Sequence, residues 1–140
     1  MFTHPRPVRF QDVDAARIVF FARFLDYCHD AVEALFSPLP GGYPSLTMAR
    51  DVGVPTVRLE VEYTAPLRYG DVAVIEVEAL RVGRSSFTLR HTIRRGDGGE
   101  VCATVTHTMV TARLSALGAV EMPDDVRAIL ASHLTRDGAA

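Results

Sequence analysis

The stretch Val8-Arg9-Phe10-Gln11-Asp12-Val13-Asp14-Ala15-Ala16-Arg17-Ile18-Val19-Phe20-Phe21-Ala22-Arg23-Phe24 decides how the rest of the chain is read. Val8 to Gln11 reads as a short extended segment that ends at Asp12-Val13-Asp14. After it, Phe21, Phe24, Leu25, Cys28, Val32, Leu35 and Phe36 recur at spacings of three and four, which is the apolar stripe of one long helix. Arg23, Asp26, Asp30 and Glu33 fall on its other face. Aspartates before the helix and at its opening suit the positive end of the helix dipole. Ser37-Pro38-Leu39-Pro40-Gly41-Gly42 stops the helix, because proline lacks the amide the ladder needs and glycine frees the backbone. A short helical turn is expected over Leu46 to Arg50.

From Val54 the period changes to two. Val57, Leu59, Val61 and Tyr63 alternate with Arg58, Glu60 and Glu62, and Pro66 with Arg68-Tyr69-Gly70-Asp71 ends that strand. Val72 to Val82 gives a second strand, Phe87 to Arg94 a third and Glu100 to Arg113 a fourth. Gly83-Arg84-Ser85 and Gly96-Asp97-Gly98-Gly99 supply the turns between them. Pro123-Asp124-Asp125 opens a short terminal helix reaching His133. Consecutive strands with short turns predict an antiparallel meander. One helix with a broad apolar stripe must bury it on a face of that sheet. The expected fold is α+β, an antiparallel sheet of about five strands around one long helix. It forms a single domain over 1–140 with a flexible C-terminal tail from about 134.

Composition narrows the function. A chain of 140 residues with 48% hydrophobic and 23% charged side chains suits one packed domain. The net charge of -2 argues against nucleic-acid binding, which calls for a basic footprint. No apolar run has the ~20 residues of a membrane span. The opening Met-Phe-Thr-His-Pro-Arg has no apolar leader core, so a cytoplasmic protein is expected. Cys28 and Cys102 read as reduced, buried thiols. All 15 basic residues are arginine, as no lysine is present, so an arginine by itself does not mark a site.

The segment from Val8 to Phe24 resembles the opening motif of the hotdog-fold acyl-CoA thioesterases, most closely the 4-hydroxybenzoyl-CoA thioesterase type that includes the YbgC-like proteins. The similarity continues through Val54-Pro55-Thr56, through Glu62 to Asp71, and through Gly83-Arg84-Ser85-Ser86-Phe87 with Arg90-His91. It covers roughly residues 7 to 113. The resemblance implies that Asp14, the second aspartate of the D-x-D pair, is the catalytic carboxylate. It implies an acyl pocket at a subunit interface walled by Phe20, Phe21 and Tyr63. Arg84 and Ser85 would meet coenzyme A, with no metal and no organic cofactor. The family usually has glycine three residues after the aspartate, and this chain has Arg17, which is expected to narrow the site or to meet substrate charge.

Thioester hydrolysis needs an attacking oxygen and a donor for the oxyanion. A carboxylate attacks directly or activates water, and amides at a helix start supply donors because they lack intrahelical partners. The bland role for Asp14 is a helix cap. Asp12, on the same strand face if the segment is extended, reads as a structural acceptor for backbone or arginine. His29 reads as a helix-surface residue, and His91 and His107 as hydrogen-bonded, partly buried histidines. Arg81, Arg84, Arg90 and Arg94 are either a phosphate-attracting patch or a solvated strand face. Ser85 and Ser86 lie in no G-x-S-x-G elbow, so serine hydrolysis lacks support. The expectation is an acyl-CoA thioesterase acting on an aromatic or short/medium acyl-CoA. It would be a homo-oligomer, a dimer or a dimer of dimers (a homotetramer). The alternatives are an acyl-carrier-protein thioesterase, a hotdog dehydratase, whose histidine motif is missing, or a non-catalytic acyl-thioester-binding protein.

Overall fold

A computed structural model describes residues 1–135. In chain order it has β1 (Phe2–Pro7), a 3-10 turn (Phe10–Asp12), α1 (Arg23–Leu35), α2 (Gly42–Met48), β2 (Val52–Gly53), β3 (Thr56–Tyr63), β4 (Val72–Val82), β5 (Ser86–Arg95), β6 (Val101–Val110), β7 (Ala112–Arg113), β8 (Gly118–Ala119) and α3 (Asp124–Ser132). The main sheet is antiparallel with strand order β1-β4-β5-β6-β3, and β2, β7 and β8 form a second small sheet.

The α+β hotdog expectation holds, with α1 enclosed by the five-stranded sheet. Phe24, Tyr27, Cys28, Ala31, Val32 and Leu35 are the buried face of α1. They meet Ile75, Val77, Phe87, Leu89, Ile93, Val105 and Met109 in one core. Each such side chain contributes roughly 1.5–3 kcal/mol when fully buried. On the sheet's outer face Arg94 pairs with Glu76 at 2.9 Å, Arg90 with Glu78 at 3.5 Å, and the Thr88 and Thr108 hydroxyls meet at 2.9 Å. That is the partly wet face the threonine and arginine content predicts.

Four expectations change. β4, β5 and β6 form a meander, but β3 does not join it beside β4. It crosses to the far edge and pairs with β6, from Thr56↔Met109 to Tyr63↔Ala103. The connection over 64–71 is long enough for that crossing. Second, the first strand lies earlier than Val8–Gln11. β1 pairs with β4 from Phe2↔Val77 to Pro7↔Val72, and residues 10–12 turn instead. The Asp12 carboxylate causes this turn by accepting the Arg9 amide at 2.9 Å. Third, α1 starts at Arg23, which leaves Phe21 outside it and 62% exposed. Fourth, the last long strand breaks after Val110, and Ala112–Arg113 joins the small sheet.

The tail expected from about 134 falls mainly on 136–140, outside the described residues. Leu134 itself bridges Ala79, and the Thr135 amide donates to the Ala79 carbonyl at 2.9 Å. Among the described residues, no helix is long and apolar enough to cross a membrane.

Candidate active site

Asp14 sits in a tight hairpin. Val13 and Val19 bridge, the Asp14 amide donates to the Ile18 carbonyl at 3.0 Å, and the Phe20 amide donates to the Asp12 carbonyl at 2.9 Å. Ala15, Ala16 and Arg17 form the three-residue loop. The Arg17 amide donates to the Asp14 carbonyl at 2.9 Å, and Arg17 then takes the left-handed conformation, φ 66°. A turn followed by one left-handed residue is a common hairpin closure, and glycine fits its last position without strain. The arginine here costs about 1–2 kcal/mol of backbone strain. The same backbone explains why a glycine suits the third position after the aspartate.

The Asp14 side chain supports the loop. Its Oδ1 accepts the Ala16 amide at 2.8 Å, an Asx-type turn. Among the described residues no other donor reaches the carboxylate, so Oδ2 is free. The helix-cap reading fails, since the N-cap position of α1 is Ala22, eight residues later, and it has no side-chain cap.

Asp12 has the opposite environment. It is 1% exposed and accepts from the Tyr27 hydroxyl at 2.9 Å and the Arg9 amide at 2.9 Å, with the Arg6 guanidinium at 3.5 Å. Arg6 also pairs with Asp30 at 2.7 Å and lies over the Tyr27 ring, 5.0 Å from its centroid. Burial first, and the Asp12 carboxylate second, raise the Tyr27 hydroxyl pKa, so it stays a donor. Asp12 is thus the structural acceptor expected. It does not share a strand face with Asp14, because residues 10–12 are helical.

Asp14 borders a cleft of about 480 Å³ that Ile18, Val19, Phe21, Phe24, Tyr63 and Pro66 help to line. The Tyr63 hydroxyl donates to the Phe21 carbonyl at 2.7 Å, tying the end of β3 to the chain entering α1. Phe21 and Phe24 meet the Tyr63 ring edge-on at 6.4 Å and 5.2 Å. The cleft is therefore bordered by a carboxylate, an aromatic wall and, through Phe24, the start of α1, where the Arg23 and Leu25 amides already donate to the Phe20 and Ala22 carbonyls at 2.8 Å and 3.1 Å. Phe20 packs on Phe21 at 4.7 Å rather than lining the cleft. Arg17 lines a separate hollow that Asp14 also borders.

Arg84 and Ser85 lie elsewhere in the chain. Their turn is held by the Met122 amide on the Arg84 carbonyl at 2.9 Å and the Thr111 amide on the Ser85 carbonyl at 2.7 Å. Ser86 pairs with Val110 at one end of β6, whereas Tyr63 pairs with Ala103 at the other. Seven residues of strand separate those ends by roughly 23 Å at ~3.3 Å per residue. Within one chain the structure does not bring Arg84 to Asp14. Of the four-arginine patch, Arg90 and Arg94 are paired with glutamates and Arg81 donates to Ser86 Oγ at 3.2 Å, so the solvated-face reading fits those three.

His91 is fully buried, with Nε2 3.4 Å from His107 Nδ1 and its own Nδ1 without a partner. Burial lowers its pKa to about 3, helped by His107. His107 Nε2 meets the Thr56 hydroxyl at 2.6 Å, and His29 is exposed on α1. Among the described residues no three histidine, cysteine or acidic side chains converge as a metal site.

Sequence reading missed Ile18, Val19, Pro66 and the Tyr27–Asp12 bond. Pro66 carried a signal, as the breaker after β3. The buried bond carried none, because Tyr27 sits outside the quoted apolar stripe.

An exposed carboxylate at the rim of a largely apolar cleft beside a helix start offers parts that thioester hydrolysis calls for, and comparison with known proteins shows the family. Residues 8–130 match the thioesterase-like superfamily. The chain belongs to that superfamily and is a thioester hydrolase. It is 30% identical over 129 residues to a 1,4-dihydroxy-2-naphthoyl-CoA hydrolase of Thermosynechococcus vestitus, covering 92% of this chain and 88% of that one. Its fold superposes on a thioesterase-superfamily structure from Jannaschia sp. CCS1 with a TM-score of 0.86 and 26% identity, over 96% and 93% of the two chains. A gentisyl-coenzyme A thioesterase structure gives a TM-score of 0.80 at 26% identity, over 92% and 99%.

Proposed function

We propose that this protein hydrolyses an aromatic acyl-CoA to the free acid and coenzyme A, with Asp14 as the reacting carboxylate. On this reading it is of the 4-hydroxybenzoyl-CoA thioesterase type. The observation that carries it is the free Asp14 Oδ2 at the rim of an apolar cleft next to the start of α1. Two of the proteins named above, the naphthoyl-CoA hydrolase and the gentisyl-coenzyme A thioesterase, act on aromatic acyl-CoAs, which favours an aromatic substrate over short or medium chains. Asp14 attacks the carbonyl to give a mixed anhydride that water then opens, or it takes a proton from the attacking water. In both routes the C–S bond breaks and the thiolate leaves with a proton. The Phe24 amide at the start of α1 stabilises the oxyanion, since the Arg23 and Leu25 amides already donate to the Phe20 and Ala22 carbonyls. Phe21 and Tyr63 hold the substrate in the cleft beside Asp14, Phe20 backs Phe21, and Arg17 lines the second hollow that Asp14 borders.

The second chain completes the site. β1 carries Pro5 and Pro7, which blunt that edge of the sheet. β3 at the other edge has no proline and exposes Val57, Leu59 and Tyr63. Antiparallel pairing of β3 with its copy sets the Tyr63 end of one strand beside the Thr56 end of the other. Thr56 pairs with Met109, one residue from the Val110 that pairs with Ser86. The partner subunit's Arg84 and Ser85 thereby approach the Asp14 cleft and take the coenzyme A phosphates. Such a dimer is the unit, and a tetramer would stack two of them. Two buried free thiols, Cys28 and Cys102, suit the reducing cytoplasm.

The test is hydrolysis of benzoyl-, hydroxybenzoyl-, phenylacetyl- and straight-chain acyl-CoAs, followed by thiol release. Turnover of the aromatic thioesters supports the reading. Turnover confined to carrier-protein thioesters would replace it with the biosynthetic alternative, and binding without turnover would make the protein a carrier.

A further inference from the structure

Asp14 also borders a second hollow, of about 570 Å³, walled by Phe10, Val13, Ala15, Arg17 and Tyr69. Phe10 and Tyr69 meet edge to face, 5.9 Å between centroids at 85°, yet remain 76% and 64% exposed. The loop bearing Tyr69 is fixed against the Asp14 hairpin: the Val19 amide donates to the Leu67 carbonyl at 2.8 Å, and the Arg68 amide to the Asp71 carboxylate at 2.8 Å. Among the described residues, the Arg17 guanidinium has no ion-pair or hydrogen-bond partner. A free cation, an open aromatic pair and the candidate carboxylate therefore share one rigid rim.

We infer that this hollow receives the acyl ring of the substrate, and that Arg17 selects rings carrying a hydroxyl or carboxylate oxygen. The inference rests on the thioesterase reading of Asp14. A thioester held at Asp14 extends in two directions, the acyl group one way and the pantetheine arm the other. The phosphates and adenine lie many bonds away, so only the acyl group or the first atoms of that arm reach a hollow bordering Asp14. The arm is thin, aliphatic and uncharged there, and a guanidinium with two aromatic rings offers it little. A flat ring meets Phe10 and Tyr69 edge or face, and a ring oxygen meets the forked donor. With the partner subunit's Arg84 at the β3 edge, the arm runs through the Tyr63 cleft, which leaves the second hollow at Asp14 for the acyl ring.

The experiment uses the full-length Asp14→Asn protein, which retains the turn acceptor and permits equilibrium binding. Calorimetry gives Kd for 2,5-dihydroxybenzoyl-CoA and benzoyl-CoA, with Arg17 intact, Arg17→Gly and Arg17→Lys. The dihydroxy ligand should bind about ten-fold tighter with Arg17 intact, the scale of one partly screened charged hydrogen bond. That ratio should fall to near one in Arg17→Gly and be partly kept in Arg17→Lys. Phe10→Ala should weaken both ligands. An unchanged ratio in Arg17→Gly, or no binding of either ligand, overturns the inference. So does a Phe10→Ala protein that binds normally but loses its oligomeric state by light scattering, which would make the rings a subunit contact. Failure of the thioesterase reading shows separately, as absence of turnover in the wild type.

Discussion

The Tyr27 hydroxyl donates a 2.9 Å hydrogen bond to the buried carboxylate of Asp12, two residues before the candidate catalytic Asp14. This bond joins the first turns of α1 to the hairpin that presents Asp14. Tyr27→Phe removes the donor and leaves the Asp12 carboxylate with the Arg9 amide and the longer Arg6 contact. The expected loss is about 1–3 kcal/mol of stability. On a chain of this size that lowers Tm by roughly 3–10 °C. Thermal melts check it, and kcat should fall with it because the hairpin loses an anchor.

His91 makes stability depend on pH. Its folded pKa lies near 3 against an ordinary value of 6.5, because burial disfavours the imidazolium. The unfolded chain binds a proton below about pH 6.5 that the folded chain refuses until about pH 3. Stability from this group is therefore complete above pH 6.5 and lost as pH falls through that window, at up to roughly 1.4 kcal/mol per pH unit. His107 and His133 shift the same way, both through burial first. Denaturant unfolding between pH 7 and 4 should show the decline, and His91→Leu should flatten it.

Arg17→Gly should raise stability while harming recognition. It relieves the left-handed strain at φ 66° but gives the unfolded chain extra freedom. The net gain is roughly 0.5 kcal/mol, about 2 °C in Tm. A variant with a higher melting point and weaker substrate discrimination would mark strain kept for function.

Cys28 should resist thiol reagents in the folded protein. Burial pushes its pKa up to about 12, and it is 2% exposed. Cys102, also buried, has its pKa raised mainly by burial. Ellman titration should find neither thiol at neutral pH in native protein and both after denaturation.

The periodicities in the sequence placed β4 and α3 almost to the residue and located β3, β5 and most of α1. What they missed depends on tertiary context. β3 reads as a neighbour of β4 because strands adjacent in sequence usually pair, yet the chain over 64–71 carries it to β6. Phe21 fits the helical spacing but lies outside α1, where it lines the cleft. Asp14 was legible through its motif, while its Asx-turn bond and the distance between its cleft and the Arg84 turn were not. Those features depend on long-range register, which no local pattern encodes. The Phe10–Tyr69 pair, 59 positions apart, is the same kind of contact.

The most direct measurement is steady-state hydrolysis of an aromatic acyl-CoA panel by wild type and Asp14→Asn, with melts of both. The carboxamide keeps an oxygen for the Ala16 amide, so the fold should survive. The account predicts that kcat/KM falls by at least about a thousand-fold, some 4 kcal/mol of transition-state stabilisation, with Tm nearly unchanged. Equal activity in the two proteins would contradict it and remove Asp14 from the mechanism.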